Sequence, residues 1–341
     1  MSVLSGPLLI DAGEPLVAQG ALRLAAVLAR RDRVNAQVLT PVPPLPSLLS
    51  LGASLAADLG RHELDECRRE VARNRTRALL AETVGPSPFF RTSAVLGRAI
   101  PEVGAAARAA AASYVLSGLA PAETPARQRA VDRLSRLAIA AGVPVLAVPA
   151  DATLLPQSAI GAIDLGEASI AAARAAVPLL AQEANLTLLH VLPAVESQSS
   201  NGEGSVEVGI QSAMNVLRRL AAEIHAESGI PVHVVVLEGE PASMLPRWQS
   251  KFDLVTLGAS RRGKRRLDGS ASVSAATCRV ARGAVLVAPA TDVGGRDGGS
   301  RWVTTAANGA DQAAIRRAGW AQRAPGEGFP PRGGSASNRC P

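Results

Sequence analysis

Aromatic residues are nearly missing, at 2% of 341 residues. A core cannot then be assembled from large rings, so Ala, Val and Leu must build the 47% of the chain that is hydrophobic. Such a composition suits buried parallel strands covered by alanine-rich helices. Cysteine is scarce as well. Cys67, Cys278 and Cys340 lie far apart without paired spacing, which argues against a disulfide framework, a thiolate metal site or a redox couple and favours a reducing compartment. Long apolar runs are absent too. The start, Met1-Ser2-Val3-Leu4, offers neither a basic leader nor a long apolar core before Asp11 and Glu14, so a cytoplasmic protein without a membrane partner is expected. The formal charge of +7 is scattered in short arginine clusters and the C-terminal stretch. Without a continuous basic face, nucleic acid is not an expected partner.

What is present is punctuated periodicity. Length alone suggests about two domains. Leu8 to Ile10 reads as a strand ending at Asp11-Ala12-Gly13, and Val17, Ala21, Leu24 and Leu28 keep helical spacing behind it. A second strand falls near Gln37 to Thr40, followed by a proline-rich loop at Pro41 to Pro46 and a helical pattern over Arg61 to Glu82. Phe89 to Leu96 is a candidate third strand, and Ala105 to Ala112 strongly favours helix. Tyr114 to Leu116 and Pro144 to Val148 are further strands, with a helix from about Pro125 to Ala141 between them. Strand and helix therefore alternate throughout.

The same order returns after Pro156, with landmarks that indicate an internal repeat. Asp11 is paired with Asp164, Asn35 with Asn185, Gly97 with Gly239, Gly118 with Gly258, and Val145 to Pro149 with Val285 to Pro289. In the second copy Leu186 to Val191 is a strand, and Ile210, Ala213, Leu217, Leu220 and Ile224 form an apolar helical stripe. Pro178 sits inside the predicted first helix of that copy and should kink it. Residues 192–208 read as a mobile loop, and Thr291 to Pro341 as a tail without period. The expected divisions are 1–150, 157–290 and a disordered 291–341.

Alternating βα units of this kind form an open parallel sheet, whose ligands sit at the carboxyl ends of the strands where the strand order reverses. In the second copy those ends are Asp164 to Ser169, Val191 onward, Glu238 to Ala242, and Gly258 to Ser270. The last reads Gly258-Ala259-Ser260-Arg261-Arg262-Gly263-Lys264-Arg265-Arg266-Leu267-Asp268-Gly269-Ser270 and then a helical pattern. Glycines admit close approach of a phosphate, and a helix start at Gly269 and Ser270 presents free N–H groups to an anion.

At these residues the chain resembles the universal stress protein family, in its tandem form with two such domains. The resemblance is weak over residues 7–149 and good over 157–289. It rests on Asp164-Leu165-Gly166-Glu167-Ala168-Ser169, on Thr187-Leu188-Leu189-His190-Val191, on Glu238-Gly239-Glu240-Pro241, and on the glycine stretch. It implies two tandem open parallel five-stranded sheets with helices on both faces, a Rossmann-like fold of the adenine nucleotide alpha hydrolase type. In nucleotide-binding members of that family, the acid after the first strand and the valine after the second strand's His hold adenine and ribose. A Gly-x2-Gly-x9-Gly-Ser motif cradles the phosphates. By resemblance the site residues here are Asp164, Val191, Gly258, Gly269 and Ser270. Arg261 stands at the family's second glycine position and the stretch to Gly269 is two residues shorter, which makes Gly263 the candidate substitute. The implied ligand is ATP, with Mg accompanying it.

Bland readings of the same residues stay open. Asp164 and Asp11 equally suit helix caps, Gly258 and Gly269 turn positions, and Arg261 to Arg266 a solvated loop. His190 and Cys278 read as structural. The first copy reads as nucleotide-free, because Gly118 is followed by Leu119-Ala120-Pro121-Ala122-Glu123 without glycine or basic residues, and Pro41 stands where the second copy has Val191. No catalytic set converges on these loops, so the expected function is an ATP-binding stress-response or regulatory module, with at most slow hydrolysis. The alternative is a nucleotide-free tandem protein acting through protein contacts. Its two repeats would pair as a pseudo-dimer, while homodimerisation and an unidentified protein partner stay open.

Overall fold

The computed structural model describes residues 4–44, 55–122, 124–192, 204–259 and 273–290. All of these lie in one compact unit, Met1–Thr291, and the expected tail at 291–341 lies outside the described residues. The first half contributes β1 (Leu8–Asp11), α1 (Pro15–Asp32), β2 (Ala36–Val42), α2 (Leu55–Thr83), β3 (Phe90–Leu96), α3 (Ala99–Ala109), β4 (Tyr114–Leu119), α4 (Pro125–Ala141) and β5 (Val145–Pro149). The second contributes β6 (Ser158–Ala162), α5 (Glu167–Ala176), β7 (Asn185–Leu192), α6 (Gly204–Ser228), β8 (Val232–Glu238), α7 (Pro241–Gln249), β9 (Leu254–Ala259), α8 (Val273–Val280) and β10 (Ala284–Pro289).

Local chemistry sets several of these bounds. The N-terminus of α4 is capped by Thr124, whose Oγ1 accepts from Arg127 N at 3.1 Å, and Pro125 fills the first helical position. The same helix stops at Gly142, which adopts a left-handed φ of 71°. Pro178 does not kink the first helix of the second half. It terminates it: α5 ends at Ala176 and a 3₁₀ turn, Val177–Leu179, follows, because proline cannot supply the amide that a continuing α-helix requires. The stretch expected as a loop at 192–208 is shorter than that, since Leu192 closes β7 and residues 204–208 open α6. Residues 193–203 lie outside the described residues.

The strands form one ten-stranded sheet in the order β3-β2-β1-β4-β5-β10-β9-β6-β7-β8. Within each half all pairings are parallel. The two five-stranded sheets meet edge to edge through an antiparallel β5–β10 pair, with Leu146 opposite Leu286, Val145 opposite Val287 and Ala147 opposite Val285. Each residue of this trio faces a counterpart of the same trio in the other half, the pattern that a two-fold axis imposes. Joining these apolar edges removes two rows of unpaired backbone groups from solvent.

Side chains alternate across the sheet, as a two-residue period requires. Leu8, Ile10, Leu116, Leu146, Leu186 and Leu286 pack on one face against α1, α5 and α6. Leu9, Val115, Val145, Val255 and Val285 pack on the other against α3, α4, α7 and α8. The strand order reverses between β1 and β4 and again between β6 and β9, so the fold offers two equivalent crevices at strand tips.

Candidate functional site

At the crevice of the second half, β6 runs out at Ala162 and the chain turns into α5. Asp164 is exposed there. Its Oδ1 accepts from Gly166 N at 2.9 Å and from Ser169 Oγ at 2.6 Å, and the Ser169 hydroxyl also lies 2.8 Å from Gly166 O. Oδ2 takes no hydrogen bond from the described residues. Leu165, between Asp164 and Gly166, has a left-handed φ of 61° and is 38% exposed, an unfavourable conformation for a side chain of that size. The loop thus presents a pre-oriented carboxylate at the head of α5.

Gly258, near the end of β9, lies directly beside that head. A Cβ at this position would fall 2.7 Å from Ser169 N and 2.9 Å from Ala168 C, so the glycine is required for close packing of α5 on β9. Ser169 accordingly links the two sequence-predicted residues: its amide abuts Gly258 and its hydroxyl holds Asp164. On the other side, the amide of Ile163 donates to Leu189 O at 2.8 Å, which carries the β6–β7 pairing one residue past Ala162 and leaves Val191 near the tip of the neighbouring strand. Val191 is buried. His190 places its Nδ1 2.7 Å from Ile163 O. A carbonyl can only accept, so Nδ1 carries the proton and this histidine fastens β7 to the end of β6. Gly263, Gly269 and Ser270, together with Lys264 and the arginines of 261–266, lie outside the described residues.

The equivalent crevice in the first half is built differently. Asp11 lies opposite Ser117, one residue before Gly118, whereas Gly161 lies opposite Thr256, two residues before Gly258. Asp11 is therefore the counterpart of Ala162, and Gly13 is the counterpart of Asp164. The Asp11–Asp164 landmark is displaced by two residues, because an acid after an apolar run marks a strand end without marking its register. Asn35, Gly97 and Gly118 do hold positions equivalent to those of Asn185, Gly239 and Gly258 in the other half; Gly97 and Gly239 share φ values of 148° and 145°.

Asp11 is 3% exposed, and its Oδ2 accepts from Arg133 of α4 while Oδ1 accepts from Gly13 N at 3.1 Å. Burial pushes its carboxyl above the ordinary 3.8, against the pull of the Arg133 guanidinium. Glu14, Ser117, Gly118, Leu134 and Leu137 are among the other residues that line the crevice. Gly118 plays the part of Gly258, since a Cβ there would fall 2.2 Å from Val17 O. Nothing in the sequence singled out Arg133, whose partner lies 122 residues away.

With this geometry in place, the comparisons are specific. Residues 156–289 match the model of the Universal stress protein family. The second half belongs to that family. No curated protein matches the chain. The crystal structure of a universal stress protein from Archaeoglobus fulgidus DSM 4304 superposes with a TM-score of 0.55 at 16% identity, covering 85% of this chain and 98% of that one. A functionally unknown protein from Pseudomonas aeruginosa PAO1 gives 0.50 at 16% identity, covering 85% and 94%. At such identity the likeness is one of fold, and it extends over both halves. A universal stress protein from Archaeoglobus fulgidus solved in complex with dAMP aligns with 42% of this chain and 98% of its own, at 13% identity and a TM-score of 0.27. Among the described residues no helix is long and apolar enough to cross a membrane.

Proposed function

We propose that the universal stress domain at 157–290 binds an adenine nucleotide, ATP above all, and works as a regulatory binding module in the cytoplasm. The observation that carries this reading is the exposed Asp164 carboxylate, oriented by Ser169 and Gly166 and set between Val191 and Gly258 at the reversal of strand order. An acceptor fixed in that place suits the hydroxyls of a ribose, with the buried Val191 wall beside it for a base. The described residues fit a nucleoside in this way. In this reading Gly263, Gly269 and Ser270 would hold the phosphates and any Mg accompanying them, and hydrolysis would be slow at most. Nucleotide occupancy would then alter the contacts made with an unidentified protein partner.

The first half, 1–150, is proposed to hold no nucleotide, and here a specific observation favours the alternative of action through protein contacts. The acid that ends its first strand, Asp11, is buried under Arg133, and Gly13 stands where Asp164 would be needed. Equilibrium dialysis of the whole chain with ATP tests the proposal. One site per chain is expected, lost or weakened about tenfold in Asp164→Ala; two sites, or undiminished binding by that variant, would refute it.

A further inference from the structure

Beyond the β5–β10 pair, side chains of the first half grip the second at three places among the described residues, each time by donating to a backbone carbonyl near the end of α5 or α8. Arg127 of α4 is 2% exposed; its Nε donates to Cys278 O at 2.8 Å and its Nη2 to Ala281 O, while Nη1 holds Ala120 O at 2.7 Å. Tyr114 of β4 donates its hydroxyl to Ala175 O at 2.7 Å. Arg31 of α1 donates to Leu180 O at 3.1 Å and to Pro178 O, in the turn that follows α5. Carbonyls in these positions lack partners within their helix, and the helix dipole makes that end negative. Among the described residues no carboxylate pairs with Arg127, so its charge is met by this array of carbonyl dipoles. Burial lowers the Arg127 pKa, yet a guanidinium keeps its proton in proteins. Burial also raises the Tyr114 pKa well above its usual value, which keeps the hydroxyl a donor.

One gripped helix, α5, heads the proposed site, and the other, α8, follows the glycine stretch in the chain. At its head α5 carries Ser169, which holds Asp164 and abuts Gly258. The helix α8 begins at Val273, three residues after Ser270. A helix moves as a rod, so fixing its C-terminal end also fixes where its N-terminal end points.

We propose that Arg127, Tyr114 and Arg31 are positioning residues for the nucleotide site of the other half, and that the first half serves as its foundation. This rests on the nucleotide reading given above. The test uses the whole chain with Arg127→Met, Tyr114→Phe and, for comparison, Arg23→Met. Arg23 has the same chemistry, donating to Ala150 O and to Ala152 O at 3.2 Å, but touches neither helix end.

Two readings are taken on each protein: ATP affinity by dialysis, and hydrogen exchange of the α5 and α8 amides. Arg127→Met should weaken ATP about tenfold and Tyr114→Phe about threefold, with Arg23→Met unchanged. Exchange should quicken in α8 for the first variant and in α5 for the second. Unchanged ATP affinity in folded Arg127→Met and Tyr114→Phe would overturn the proposal, as would an equal loss in Arg23→Met. Should Arg127→Met fail to fold, Tyr114→Phe, which keeps its ring, decides alone. A wild type that binds no ATP would refute the nucleotide reading, and the exchange data would still judge the grip: unaltered protection in both variants would overturn that as well.

Discussion

Two strand tips at matching places in the fold treat an acid in opposite ways. In the second half Asp164 is exposed, held by neutral donors from its own loop, and has one oxygen left over for an incoming group. In the first half Asp11 sits two residues deeper, is buried, and has its charge met by Arg133 from the chain itself. The packing glycines, Gly118 and Gly258, are alike in both. The difference shows that glycine at this corner serves helix-to-strand packing whether or not a ligand is held. What distinguishes an open tip from a filled one is the depth of the acid and the origin of its partner.

The comparison can be broken most forcefully at Arg133. Replacing it with Met should cost about 3 kcal/mol in urea unfolding near neutral pH, since an ionised Asp11 would be left buried and alone. The pH dependence has a definite sign. Burial already raises the folded-state pKa of Asp11 above 3.8, and loss of Arg133 raises it further. The folded protein then binds that proton more tightly than the unfolded chain does, so the stability is present at low pH and lost as pH climbs through the folded pKa. The deficit of the variant should therefore shrink as pH falls toward 3.8; an equal deficit at both ends of the range would exclude Asp11 as its cause.

The next effect concerns the shared corner. Gly118→Ala and Gly258→Ala should each lose about 2 kcal/mol in thermal unfolding, because the added methyl meets backbone that cannot swing aside. Only the second should also weaken ATP binding. Comparable losses of affinity from both would mean that the effect reports global loosening.

Asp164→Ala is expected to change stability little, at most about 1 kcal/mol, since only loop hydrogen bonds at a helix start are lost. Its effect belongs in the dialysis measurement, which is the reverse of Arg133→Met. The smallest change expected is a gain. Leu165→Gly relieves a left-handed leucine and should raise the unfolding midpoint by an amount equivalent to up to about 1 kcal/mol. A fall instead would show that the exposed leucine side chain contributes contacts worth more than its strain.

Much of the secondary structure was legible from one-dimensional signals. The α4 bounds, Pro125 to Ala141, follow from a Thr-Pro start and a Gly stop, and the apolar stripe of α6 follows from helical spacing. Pro178 marked a disruption correctly, but whether a proline bends a helix or ends it depends on what the following residues pack against. For the site, Asp164 and Gly258 were visible near the ends of apolar runs, whereas Val191 was singled out by the family resemblance. Ser169 was visible only as part of a motif, and its part in joining Asp164 to Gly258 required the fold.

By itself, then, the sequence determined the alternation of strands and helices and the reliance on small aliphatic residues, and short motifs in the second half carried its resemblance to the universal stress family. Those properties are local or compositional, and each is written in spacing that one chain segment carries. Tertiary structure alone decided that two sheets become one through β5 and β10, that Asp11 is filled by Arg133, and that Arg127 and Tyr114 hold helices of the other half. Each of these depends on residues between 61 and 154 positions apart. Separations of that size leave no period in a sequence, because register and distance are fixed only when the strands pair.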